Sequence, residues 1–174
     1  MFGRNVLATL ALLVVSLSAC SAQAQPGWQC ATYAREIAPV ELRGNAWTWW
    51  QQAADKYERG QTPKIGAVLV LRRTASMPLG HVAVVRRVIS PREVLVEQAN
   101  WGNRSDGMRG KVSAGDRVID VSAKNDWTDV QVWYAPVNDF GRDNPAYGFI
   151  YAPDYDPKTG IQWNASEDMP GKPG

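Results

Sequence analysis

Residues 64–101, KIGAVLVLRRTASMPLGHVAVVRRVISPREVLVEQANW, hold three runs rich in β-branched residues: KIGAVLVLRR, HVAVVRRV and EVLVEQANW. Turn formers, among them Pro78, Gly80, Ser90 and Pro91, separate them. Runs of this length and composition read as consecutive antiparallel strands. Residues 118–121 and 130–134 read as two more. Ahead of the strands, QCATYAREIAP (29–39) reads as an apolar helix stopped by Pro39. GNAWTWWQQAADKYERG (44–60) sets Trp47, Trp50, Ala54 and Tyr57 at helical spacing, with Gly60 placed to end a second helix. That stripe reads as core. Helices followed by a run of strands predict an α+β domain, its N-terminal helices packed on an antiparallel β-sheet.

The first twenty residues, MFGRNVLATLALLVVSLSAC, have the layout of a secretory signal: a basic start with Arg4, an apolar stretch, then small residues. The stretch is short for a membrane span. Two cleavage readings compete. LSAC (17–20) resembles a bacterial lipobox, which would lipidate Cys20 and tether the protein to a membrane. Ala22, Gln23 and Ala24 form an ordinary signal-peptidase site. Both assign residues 1–24 to export and place the protein in the cell envelope or periplasm, as an outer-membrane lipoprotein if Cys20 is the lipidated residue. About 150 residues remain, enough for one domain with its own core. Residues 25–153 form that domain, and from Asp154 a turn-rich segment without apolar periodicity reads as a loosely ordered tail.

A formal charge of +2 with no basic run or stripe argues against nucleic acid as a partner. A monomer is expected. The chain has two cysteines and one histidine. With Cys20 lipidated or cut away, Cys30 is left as a lone thiol, and a lone thiol in an exported protein needs a reason. A Cys20–Cys30 bridge would close a small loop at the terminus and add little to a core.

Cys30 opens the first helix, where the positive field of the helix N-terminus favours thiolate, and a nearby imidazole favours it further. His81 follows Gly80 at the start of a strand. A helix-borne cysteine facing a strand-borne histidine can act as nucleophile and base toward a carbonyl carbon. Singly, each residue is equally well read as part of a core.

Taken together, QCATYAR, GNAWTWW, the PKIGAVLVL strand, GHVAVV and QANW resemble the CHAP family of cysteine, histidine-dependent amidohydrolases and peptidases. The resemblance spans about residues 28–101, with weaker agreement at YGFIYAP. It implies a papain-like (NlpC-like) α+β fold, Cys30 as nucleophile and His81 as general base. It also implies hydrolysis of peptidoglycan amide bonds, by an N-acetylmuramoyl-L-alanine amidase or a peptide endopeptidase. A non-catalytic envelope-binding module on the same fold, or an amidase of a small soluble amide, is the alternative.

Family members commonly orient the histidine with a Glu, Asp or Asn on the next strand, two positions before an Asn. Here the residue two before Asn100 is Gln98, with Glu97 preceding it. Side chains alternate along a strand, so Gln98 and Asn100 share a face and Glu97 points away unless a bulge intervenes. Parity favours Gln98 as the orienting group and charge favours Glu97. Asn100 and Trp101 are expected to line the cleft as substrate contacts. The Cys30 backbone N–H is the expected oxyanion donor, with Gln29 or Trp28 nearest as a second. Asn45 reads as the N-cap of the Trp-rich helix. No metal-ligand spacing or phosphate-binding loop is present, and no cofactor is expected.

Overall fold

The computed structural model describes residues 27–103 and 105–152. The predicted leader with Cys20, and the tail from residue 154, lie outside the described residues. The elements are α1 (Cys30–Ile37), α2 (Trp49–Gln52), β1 (Glu58–Gly60), β2 (Val68–Leu71), β3 (His81–Ser90), β4 (Glu93–Ala99), β5 (Val112–Asp120), β6 (Asp129–Tyr134) and β7 (Asp139–Tyr151).

Every strand pairing is antiparallel, and β7 pairs with both β2 and β6. That second pairing closes β7-β2-β3-β4-β5-β6 into a six-stranded barrel, with β1 added outside on β7. The α+β papain-like architecture expected from the sequence is therefore corrected: the fold is mostly β, a closed barrel carrying two short helices on its outer wall. Open-sheet and barrel strands have the same alternating pattern, so the pattern alone does not register closure.

The barrel wall explains the run VLVL in β2, all four residues of which are buried. Leu69 and Leu71 turn inward with Val85, Val96 and Phe149. Val68 and Val70 turn outward, where Val82, Val84 and Ile150 form a second layer with Leu42 and Trp49. A strand covered on both faces reads as a continuous apolar run. Trp49 is fully buried in that outer layer. Truncating such an indole costs about 3–5 kcal/mol.

The predicted second helix is cut to one 3₁₀ turn (Ala46–Thr48) and the four residues of α2. Its buried residues are Ala46, Trp49 and Ala53, while Trp47, Trp50, Ala54 and Tyr57 are half-buried. The helical period is right and its phase is shifted. Past Ala53 the chain turns, and Glu58–Gly60 joins the free edge of β7 instead of continuing the helix. Residues 118–121 begin six positions earlier than expected, as part of β5.

The sequence reading lacks β7 altogether. It carries Gly141, Pro145 and Gly148, which speak against a strand. Its pairing with β2 shifts register between Val70 and Leu71, and its pairing with β6 between Gln131 and Trp133. Such bulges bend and twist a long strand, which is how it reaches both edges of the wall.

Candidate active site

Local features on both sides bring Cys30 and His81 together. Asn100 adopts a left-handed conformation with φ 62°. Its side chain donates to Gln29 Oε1 (3.1 Å) and accepts from the Gly110 N–H (2.8 Å). The Trp28 N–H donates to the Gly110 carbonyl at 2.9 Å. Gly27 lies so close to Gly110 that a Cβ on Gly27 would stand 2.5 Å from the Gly110 Cα. The chain entering α1 is thus laced to the β4–β5 connection, and Cys30 follows directly.

Gly80 fixes the histidine. With φ +67°, it sits where a Cβ would lie 2.7 Å from the Trp47 nitrogen and 2.9 Å from the Leu71 carbonyl oxygen. Only glycine fits this approach without displacing backbone. His81 then starts β3 opposite Leu71, buried at the barrel rim.

Cys30 is a half-buried free thiol close enough to the His81 ring for the imidazole to act on its ionisation. Burial pushes its ionisation up. The charge and hydrogen bond of His81, with the backbone groups of Val82 and Ala31, outweigh burial and hold the thiol below its ordinary value of 9.0. The other side of the ring meets Gln98: His81 Nε2 and Gln98 Oε1 are 2.8 Å apart. An amide oxygen only accepts, so Nε2 carries the hydrogen, and Nδ1 is left for the thiol. The Trp101 ring packs on the imidazole with centroids 4.8 Å apart.

Gln98 and Glu97 serve different sides of the wall. Gln98 is 2% exposed and its Nε2 donates to Asp116 Oδ2 at 2.7 Å; the Ser113 hydroxyl donates to the same oxygen. Glu97 faces α1, where it accepts from the Tyr33 hydroxyl and from Arg86 Nε (2.8 Å). Burial and then the Glu97 carboxylate push the Tyr33 phenol above its usual range. No bulge turns Glu97 toward the imidazole.

The remaining expected residues are placed as follows. Gln29 and Asn100 bond each other in the lacing above, so those polar atoms hold the backbone. Trp101 lies against His81 and the barrel core, with its indole Nε1 buried and without a hydrogen-bond partner among the described residues. The Trp28 N–H is committed to Gly110 and is not available as an oxyanion donor. Its ring is 43% exposed one residue before Gln29 and meets Tyr33 edge-on, giving an apolar surface beside the nucleophile. Asn45 stands at the N-cap of the 3₁₀ turn, but its side chain makes no capping bond. Asp116 and Ser113 are site residues the sequence does not point to, because the strand expected there starts at residue 118 and β5 begins six positions earlier.

The pair can generate a thiolate nucleophile beside an imidazole that holds or returns a proton. Among curated proteins, none matches this chain. Residues 21–100 match the family model of the CHAP domain, a family that is commonly hydrolytic, acting as amidases or peptidases. The matched segment runs from before α1 through β4 and contains Cys30, His81 and Gln98; over these residues the match supports the resemblance to the CHAP family.

Proposed function

We propose that the protein is an exported cysteine amidohydrolase that cuts amide bonds of peptidoglycan, at the muramoyl–L-alanine bond or within the peptides. The observation that carries this reading is the His81–Gln98 hydrogen bond with the Cys30 thiol beside the same ring, combined with the family match.

The steps follow from the groups present. The Cys30 thiolate attacks the amide carbonyl carbon, and its negative charge moves to the carbonyl oxygen. The Cys30 N–H, at the first turn of α1, has no intrahelical acceptor and is the donor for that oxygen. His81, protonated, gives its proton to the leaving nitrogen as the C–N bond breaks, which leaves a thioester. Water, deprotonated by His81, attacks the thioester. The carboxylic acid departs and the thiol is restored. Gln98 holds the ring in plane throughout, a role a neutral amide performs with less stabilisation of imidazolium than a carboxylate gives.

Purified peptidoglycan incubated with the protein, with Cys30→Ala alongside, tests the reading by mass spectrometry of the released fragments. New muropeptides that depend on Cys30 are expected, and their masses identify the bond. Digests unchanged by folded wild-type protein across several wall chemistries overturn it.

A further inference from the structure

We propose that Asp116 is a positioning residue of this site. Its carboxylate fixes the orientation of the Gln98 amide and so decides that an acceptor, never a donor, meets His81 Nε2. The inference rests on the cysteine-hydrolase reading above and concerns a residue beyond the matched segment, which ends at residue 100.

A carboxamide has two ends of nearly the same size and opposite function. With oxygen toward His81, Nε2–H is satisfied, the Nδ1 lone pair faces the thiol, and imidazolium is tolerated because its Nε2–H still has an acceptor. With the amide turned over, its NH₂ would face Nε2. The ring hydrogen would then move to Nδ1, where it cannot take the thiol proton, and imidazolium would set donor against donor. Gln98 itself contains nothing that chooses between these arrangements.

Asp116 chooses. Its Oδ2 accepts from Gln98 Nε2 at 2.7 Å. Turning the amide over would put two acceptor oxygens together beside a side chain that is 2% exposed. The Ser113 hydroxyl donates to the same Oδ2 and holds the carboxylate in turn. A carboxylate accepting from the amide NH₂ also draws charge along the amide, strengthening its oxygen as an acceptor.

The backbone is shaped for this contact. Gln98 pairs with Ser113 and Glu97 with Ala114, but Val96 pairs with Asp116, so Gly115 is an extra residue in β5. Gly115 has φ +79°. Strict alternation from Ser113 would put residue 115 on the Gln98 face and Asp116 on the other. The one-residue bulge exchanges them.

The test uses the full-length protein and two readouts. The first is the pH dependence of Cys30 alkylation by iodoacetamide, which needs no substrate; the second is kcat and KM on peptidoglycan fragments. In Asp116→Asn, which is isosteric, the alkylation midpoint is expected to rise by about one pH unit, a tenfold loss of thiolate at a fixed lower pH. kcat is expected to fall about tenfold with KM little changed. The double variant Gln98→Glu/Asp116→Asn presents two oxygens at position 98 and an NH₂ at position 116, so the wrong orientation no longer exists. It is expected to regain the wild-type alkylation midpoint and most of kcat. An Asp116→Asn midpoint equal to that of wild type overturns the proposal, as does a double variant no better than Asp116→Asn alone. If wild type cleaves no wall fragment while the alkylation shifts appear as described, the substrate reading fails and the positioning role stands.

Discussion

Glu97 and Gln98 are neighbours in one strand and act on opposite sides of it. Gln98 meets His81 on the barrel side, and Glu97 meets Tyr33 and Arg86 on the side that carries α1. One residue of the pair serves the imidazole and the other anchors the helix that bears the thiol.

Their alanine variants are therefore expected to fail differently. Gln98→Ala should lower kcat/KM about a hundredfold, the lower range for a misplaced general base, with its unfolding transition close to that of wild type. Glu97→Ala removes one half of a buried ion pair and should cost about 3 kcal/mol of stability, read as a lower urea midpoint. Equal losses of activity with equal stabilities would contradict the division.

The thiol of Cys30 is held below its ordinary value by His81 and two backbone groups against the opposing effect of burial. Its reaction with iodoacetamide should accordingly persist below pH 9 and fall only as pH drops through the lowered value. His81→Ala removes the charge and the side-chain hydrogen bond while burial remains, so its midpoint should move upward. A midpoint unchanged by that substitution would remove the basis for an activated thiol.

Gly80→Ala tests the turn into β3. A Cβ there meets backbone atoms of Trp47 and Leu71 at a positive φ. The substitution should cost about 1–3 kcal/mol and displace His81 enough to reduce kcat. A thermal melt and a rate assay on the same sample check both.

Export by the lipoprotein route predicts that wild-type protein expressed in a bacterial host fractionates with membranes and that Cys20→Ala releases it. Wild type found wholly in the soluble fraction would favour cleavage after Ala24.

The strands β2, β3 and β4 were legible because alternation and β-branched composition persist through them, and the same parity argument brought Gln98 to His81. The next strand was legible only from residue 118, whereas β5 begins at Val112, and Gly115 is an extra residue in it that lets both Ser113 and Asp116 reach Gln98. Glycine was visible there, but its effect on register depends on the partner strand. Closure was illegible for a related reason. Pro145 and Gly148 in β7 are tolerated by bulges and neighbours far away in sequence, and local propensity carries no trace of those partners. In the Trp-rich segment the period pointed to a helix, but the edge of β7 captured residues 58–60 for pairing.

The lacing of residues 27–29 to Asn100 and Gly110 bears on where this reactivity comes from. Cys30 is held beside its histidine by the docking of the entering chain on the β4–β5 connection. In an unfolded chain, without those contacts, the same residue is an ordinary thiol. The activated thiol is therefore a property of the folded domain, made by contacts between segments some seventy to eighty residues apart.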